Sequence, residues 1–356
     1  MPKKTILIVG THHTPAIELI KQLRNDQKFS WTIEYVGHLT PTDTHLKNTI
    51  IPKLQIHFHP LESGKFDRRW LPNTIRGLPK TIRAIFNSIT IINRTKPHIV
   101  ISFGGYISTP IVVAAWLKHL PVITHEQTTT ISLSTQLNSL FATKVALSFP
   151  PKSRSSKHII TGNLLRSEIF QKTSPKYKPL EKQLTHKPLL FITGGNQGSG
   201  PINQTVAQIV PDLHLSFTII HQTGPIDLPK FQHLQTSYPN YRPTNYIDLE
   251  DIGWVLHHAK IIISRAGANY CQEIATLQKT AIFIPLPQSQ QNEQLKNALW
   301  VKKQLPHTII IDQNNLTPVL LKNTILKLSK QTTPPSLKTH QPSNLKLLHL
   351  IHETTL

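Results

Sequence analysis

The stretch Ile261–Ala298, IIISRAGANYCQEIATLQKTAIFIPLPQSQQNEQLKNA, decides how this chain is read. Ile261, Ile262 and Ile263 form a β-branched run of the kind buried on both faces of a parallel sheet. Arg265-Ala266-Gly267-Ala268 is a turn of small residues. Asn269, with Gln272 three positions later, reads as the capping box of a helix running to about Leu277. A strand, a small-residue turn and a helix N-terminus in succession gather free backbone N–H groups and the positive end of the helix dipole at one spot, which suits a phosphate. Glu273, one turn further on, is placed to take ribose hydroxyls. The polar tract after the next strand, Thr280–Ile284, carries amides suited to a sugar. The same pattern also describes an ordinary strand–turn–helix unit of an α/β domain.

Upstream, the pattern recurs. Pro188–Ile192 is a strand, Thr193–Gly200 a glycine-rich turn, and a helix follows from about Pro201 to Val210. The turn lacks the Lys-Ser/Thr of a P-loop. Thr5–Val9 is a strand leading through Gly10-Thr11-His12-His13-Thr14-Pro15 into a helix over Ala16–Leu23. That places a histidine at the C-terminal edge of a parallel strand, where open α/β sheets bind ligands. His98–Ser102 leads into Phe103-Gly104-Gly105-Tyr106, and Pro121–Thr124 into His125-Glu126-Gln127-Thr128. Strand and helix thus alternate through both halves, with glycine turns at Gly10, Gly104-Gly105, Gly194-Gly195 and Gly267. The expected fold class is α/β, with two Rossmann-like, doubly wound parallel-sheet domains facing a cleft. The boundary falls near Gly162, giving domains over 1–162 and 163–339. A terminal helix within 340–356 follows a Thr333-Pro334-Pro335-Ser336 linker.

The 356 residues suffice for about two domains with full cores. There are 39 Lys+Arg against 18 Asp+Glu, a net charge of +21, which favours a polyanionic partner: phosphorylated ligand, anionic membrane or nucleic acid. One cysteine, Cys271, excludes a disulfide framework and a cysteine zinc site. The 20 histidines are scattered without ligand spacing, so no metal site is expected. No apolar run reaches the roughly 18 residues that span a bilayer. Residues 63–100 hold eight Lys/Arg against the single acid Asp67, interleaved with Trp70, Leu71, Ile75, Leu78, Ile82 and Phe86. Pro72, Gly77 and Pro79 predict a short element and then a helix from about Lys80. Trp70, Leu71, Ile75, Arg76, Lys80 and Arg83 suit an interfacial membrane patch, or equally a core-packing helix with a basic back.

A helix N-terminus for a diphosphate, an arginine (Arg166 or Arg265) and a histidine base together suit transfer from a nucleotide-sugar. No Asp-x-Asp pair is present to hold a divalent ion on the diphosphate. In this setting the chain resembles the bacterial UDP-N-acetylglucosamine–N-acetylmuramyl-(pentapeptide) pyrophosphoryl-undecaprenol N-acetylglucosaminyltransferase family. The matching pieces are Gly104-Gly105-Tyr106-Ile107-Ser108 with Pro110, His125-Glu126-Gln127, Gly162-Asn163 with Arg166, and Gly194-Gly195 with Gln197-Gly198. In the same order follow His221-Gln222-Thr223-Gly224, Arg265-Ala266-Gly267-Ala268 with Glu273-Ile274-Ala275, and Gln294 with Asn297-Ala298.

The resemblance implies the two-domain GT-B glycosyltransferase fold, with the terminal helix returning to the first domain. It implies an inverting transfer from UDP-GlcNAc to the C4 hydroxyl of MurNAc on lipid I, without cofactor or metal and without nucleic acid. Such a protein works at the cytoplasmic face of the anionic inner membrane, peripherally bound. Residue by residue, it makes His12 the catalytic base and gives Glu126 a part in catalysis. On the donor side it sets Gly10, Thr11, Thr128, Arg166, Asn196, Ile247, Ala268, Asn269, Tyr270, Glu273 and Gln294. On the acceptor side it sets Gly104, Gly105, Tyr106, His125 and Glu126. The sequence departs from the family's usual pattern at Asn196, Leu164, Thr128 and Asn292-Glu293, and its first loop has less glycine. Two other readings stand beside this one: a related glycosyltransferase with another UDP-sugar or lipid acceptor, and a non-enzymatic basic binder of membrane or nucleic acid.

Overall fold

A computed structural model describes residues 1–11, 13–38, 51–64, 71–151, 153, 155–331 and 344–355. The chain forms two compact units, Met1–Arg166 with Pro342–Leu356, and Ser167–Gln341. The division thus falls four residues beyond Gly162 and leaves Arg166 in the first unit.

The first unit is built on β1 (Lys3–Val9), β2 (Ser30–Gly37), β3 (His57–Pro60), β4 (Ile99–Ser102), β5 (Val122–Glu126), β6 (Lys144–Leu147) and β7 (His158–Ile160). Their order in the sheet is β3-β2-β1-β4-β5-β6-β7, and every pair is parallel. The chain therefore moves outward from β1 in one direction, then returns to β4 on its other side. The second unit has β8 (Leu189–Thr193), β9 (Thr218–Gln222), β10 (Tyr241–Thr244), β11 (Ala259–Ser264), β12 (Ala281–Phe283) and β13 (Ile309–Ile310), ordered β10-β9-β8-β11-β12-β13 and again parallel throughout. Its reversal lies between β8 and β11. In an open parallel sheet the reversal opens a crevice at the strands' carboxyl ends. Those ends carry Gly10 and Phe103-Gly104-Gly105 in the first unit, and Gly194-Gly195 and Arg265-Ala266-Gly267 in the second.

The isoleucine run that opens the reading is buried on both faces, as a central parallel strand requires: Ile261, Ile262 and Ile263 are all 0% exposed. Ile261 and Ile263 pack with Ile202, Val206 and Ile209 of the Gly200–Leu213 helix. The Asn344–Thr355 helix belongs to the first unit. Leu347, Leu350 and Ile351 join Ala16, Leu19 and Ile20 of the His13–Arg24 helix in one core. Each such side chain stabilises by about 1.5–3 kcal/mol on burial. A bond at 2.8 Å between His352 Nε2 and Asp26 Oδ2 pins the far end of the terminal helix. Burial alone raises the Asp26 carboxyl. Hydrogen bonds from the Lys28 backbone, the Trp31 indole and His352 outweigh it and hold the group below its ordinary value.

One sequence expectation fails here. Residues Leu71–Thr95 form a single helix that runs through Gly77 and Pro79. Proline removes one intrahelical hydrogen bond, but the stripe Thr81, Ala84, Ser88 and Ile92 is buried along its inner face, and this packing holds the helix together. Gly77 also meets the 61–64 segment so closely that a Cβ on Gly64 would lie 2.1 Å from the Gly77 carbonyl oxygen. The sequence pattern gives no sign of β7 or of the Leu133–Phe141 helix.

Candidate active site

In the second unit a pocket of about 510 Å³ lies over the β8/β11 reversal, walled by the 194–201 turn, Ser264–Gly267, Tyr270, Gln294 and Gln313. Two helices begin at its edge. The Ala268–Thr276 helix has Gly267 at its N-cap, in extended backbone and with no side-chain cap. The Gly200–Leu213 helix has Ser199 there, also without a side-chain cap bond. This corrects the expected capping box: Asn269 lies within the first turn, not at the cap. A glycine cap offers the first turn no side-chain acceptor of its own, the arrangement found where a helix N-terminus meets an anion. Buried Asn297 donates to the Ala266 carbonyl at 3.2 Å and fixes the turn from below.

Arg265 supplies the pocket's charge. Its Nη1 donates to the Ile284 and Pro285 carbonyls at 2.9 and 3.3 Å, and its Nη2 to Ser199 Oγ at 2.7 Å and Gln313 Oε1 at 2.5 Å. Burial lowers its pKa somewhat, but a guanidinium stays charged. Ser264 Oγ, on a side chain 1% exposed, has no hydrogen-bond partner and belongs to the same wall.

The glycine turn is held by its neighbour. Gly198 has φ +78°, and a Cβ there would lie 1.9 Å from the Thr223 carbonyl oxygen. Gly224 has φ +84° and is as tightly placed against Gln197. Behind them His221 is fully buried. Its Nε2–H donates to Asn203 Oδ1 at 3.0 Å, and its Nδ1 accepts from the Tyr241 hydroxyl at 2.9 Å. Asn203 Nδ2 then donates to the Thr223 carbonyl and to Asp227 Oδ2, both at 2.9 Å. Burial drives the His221 pKa down to about 3, against a smaller opposing pull from Asp227. The ring is therefore neutral at physiological pH and acts as a fixed strut. Sequence reading found His221 only as a motif letter, because Asn203 and Tyr241 reach it solely through the fold.

Of the donor residues named from the sequence, Tyr270 and Gln294 line this pocket. Ala268 and Asn269 stand in the adjoining helix turn. Glu273 and Ile247 are 0% and 2% exposed and are not among the residues that line it. Glu273, one turn into the Ala268–Thr276 helix, is buried along with its neighbours Cys271, Gln272 and Ile274. Asn196 is exposed in the glycine turn, outside the pocket wall.

The first unit has its own glycine crevice at the β1/β4 reversal. A Cβ on Gly10 would lie 2.9 Å from Phe103 Cβ, and one on Gly105 2.2 Å from Thr11 Oγ1, so these two loops are in direct contact. Gly104 and Gly105 both have positive φ, at +74° and +84°. Their amides are already engaged: Gly104 N–H donates to Ser102 Oγ and Gly105 N–H to Ser134 Oγ, each at 3.2 Å. His12 and Trp70 lie outside the described residues, as do the side chains of Leu71, Ile75 and Arg76.

Two assignments in this unit change. His125 is 1% exposed; its Nε2–H donates to the Gly162 carbonyl at 3.0 Å, and burial lowers its pKa. It is a neutral core ring beside Phe103, not an acceptor-facing group. Glu126, 5% exposed, gives its whole carboxylate to the loop that follows. Oε1 accepts from the Gln127 and Thr128 amides at 3.0 and 3.2 Å, and Oε2 from the Ser132 amide at 2.8 Å. Ser132 Oγ is 3.1 Å from Ser134 Oγ, which in turn holds Gly105. Glu126 is thus an anchor for the 127–132 loop, with both carboxylate oxygens engaged there. Thr128 is drawn into the same loop, its hydroxyl donating to Glu126 Oε1 at 3.1 Å.

The glycosyltransferase family 28 N-terminal domain matches residues 5–147 and its C-terminal domain residues 189–353. The UDP-N-acetylglucosamine–N-acetylmuramyl-(pentapeptide) pyrophosphoryl-undecaprenol N-acetylglucosamine transferase of Clostridium kluyveri is 32% identical over 99% of both chains. That of Clostridium novyi is 30% identical over 93% of this chain and 92% of its own. Among solved structures, Acinetobacter baumannii MurG superposes with a TM-score of 0.72 at 22% identity, covering 99% of this chain and all of that one. The Staphylococcus aureus MnaA–UDP structure gives 0.68 at 13% identity over 99% of this chain and 96% of its own, a likeness of fold alone. Two parallel sheets whose reversal points carry glycine turns, matched along nearly the whole length by these relatives, place this chain in glycosyltransferase family 28, among the UDP-N-acetylglucosamine–N-acetylmuramyl-(pentapeptide) pyrophosphoryl-undecaprenol N-acetylglucosamine transferases.

Proposed function

We propose that this protein transfers GlcNAc from UDP-GlcNAc to the C4 hydroxyl of MurNAc on the undecaprenyl-pyrophosphoryl acceptor, lipid I, with inversion and without a metal ion. The observation that carries the reading is the Arg265 pocket: a guanidinium bonded, among the described residues, only to neutral groups, beside two helix N-termini that have no side-chain cap. Charge building on a departing UDP diphosphate is what such fixed donors stabilise best. Tyr270 and Gln294, on the same wall, meet the diphosphate and the sugar. His12 deprotonates the attacking hydroxyl. Gly104–Tyr106, held in place by the Glu126 loop, form the acceptor side. The test is UDP release by the purified protein given a panel of UDP-sugars and a lipid I analogue. UDP-GlcNAc with the analogue should turn over, and neither substrate alone should. Turnover with a different UDP-sugar in preference would favour the related-transferase reading.

The protein works as a peripheral protein on the anionic cytoplasmic membrane face. On the Leu71–Thr95 helix, Leu78, Ile82 and Phe86 project at successive turns and are 49%, 48% and 65% exposed, with Lys80 and Arg83 between them. Apolar side chains flanked by cations match an interfacial membrane helix. No helix among the described residues is long and apolar enough to cross a membrane. Replacing Leu78, Ile82 and Phe86 by serine is expected to abolish sedimentation with phosphatidylglycerol vesicles while leaving the thermal midpoint unchanged. Equal sedimentation of variant and wild type would remove this role.

A further inference from the structure

The Arg265 guanidinium donates to two backbone carbonyls, a hydroxyl and a side-chain amide. Among the described residues no carboxylate forms an ion pair with it. A partly buried cation without a counter-ion costs free energy, so its retention needs a reason, and the pocket gives one. The unpartnered Ser264 hydroxyl and the two glycine- and serine-capped helix starts face the same space. Together they form a site with a ready charge and several donors.

What holds the guanidinium in place there is Gln313, which comes from the short turn Gln313–Asn315 after β13, 48 residues from Arg265. Its amide oxygen makes the shortest of the four contacts, at 2.5 Å. An amide can accept from guanidinium but cannot neutralise it, whereas a glutamate of the same length would do both.

We propose that Gln313 is a positioning residue for anion binding: it fixes Arg265 against Ser199 while leaving the positive charge for the diphosphate of a nucleoside diphosphate. This rests on the donor-site reading above. A strut that merely holds the fold and a neutral holder of charge predict opposite rankings of two variants. If the role is electrostatic, Gln313→Glu is the damaging change, because it fills the pocket with an internal ion pair and adds a negative charge. Gln313→Ala removes one of four contacts, leaves the charge in place and is the milder change. If the role is only structural, glutamate, which keeps the contact, is benign and alanine is damaging.

The experiment is calorimetric titration of wild type, Gln313→Glu and Gln313→Ala with UDP, uridine and inorganic pyrophosphate, together with thermal melts. The expected result is UDP affinity reduced at least about tenfold in Gln313→Glu and only a few-fold in Gln313→Ala. Uridine binding should be equal in all three, and the Gln313→Glu melt no lower than wild type. UDP affinity in Gln313→Glu equal to wild type, or an alanine variant weaker than the glutamate one, overturns the proposal. Wild type that binds pyrophosphate but not UDP overturns the donor reading alone, and the same ranking is then read with pyrophosphate. Wild type that binds neither overturns both.

Discussion

Alanine at position 12 is expected to lower kcat by about 10²–10⁴-fold, the usual contribution of a positioned general base, with UDP affinity changed no more than a few-fold. The split follows from the chemistry. A base acts on the acceptor hydroxyl in the transition state, and removing it takes away an interaction absent from the donor ground state. The residues lining the Arg265 pocket all belong to the second unit, and His12 belongs to the sequence of the first. Its neighbour Thr11 packs against Gly105, so the β1 loop and the 103–106 loop form one structure. Steady-state kinetics with a lipid I analogue, run beside UDP titration, measures both quantities. Turnover within threefold of wild type would remove His12 from the role. A loss of UDP binding as large as the loss of turnover would move it to the donor side.

Gly198→Ala is expected to destroy the donor pocket from within. The new Cβ would stand 1.9 Å from the Thr223 carbonyl oxygen, a backbone atom that buried Asn203 already holds, at a φ of +78° that disfavours any L side chain. The conformational term alone costs about 1–2 kcal/mol. The clash adds to it, so the loop must move and UDP affinity should fall by at least about tenfold, with a lower melting temperature. Gly267→Ala is the informative partner. Its φ is −65°, and a Cβ there meets nothing within 4 Å. This variant should melt like wild type, yet still weaken UDP if a phosphate approaches that face of the turn. Calorimetry and thermal melts on both variants decide the matter. Unimpaired UDP binding by Gly198→Ala would mean that the 194–200 turn does not shape the donor site. Unimpaired binding by Gly267→Ala would place the phosphates elsewhere in the pocket.

Much of this molecule is legible in the order of its residues. Continuous β-branched runs such as Ile261–Ile263 can only be satisfied in a sheet covered on both faces, and glycine after each run marks where the chain must turn tightly. Those two local facts give the parallel α/β class, the two units and the position of the phosphate-type turns. Arg265, Tyr270 and Gln294, which line one pocket, all lie within the Ile261–Ala298 stretch.

Other features depend on contacts that no local pattern encodes. The Leu71–Thr95 helix survives Pro79 because its inner stripe is buried; propensity alone would break it. His125 and Glu126 have the chemistry of site residues, but they lie buried at the carboxyl end of β5, an inner strand of the sheet. There one becomes a neutral packed ring and the other an anchor for six following residues. The burial of Glu273 likewise follows from packing that its sequence position does not reveal. Gln313 carried no signal at all, since its meaning arises only where β13 brings it to Arg265. Sequence by itself determined which segments are strands and turns, because burial and backbone freedom act over a few neighbouring residues. Only the tertiary structure decided which polar groups stay available for chemistry, because that depends on distant partners competing for the same donors and acceptors.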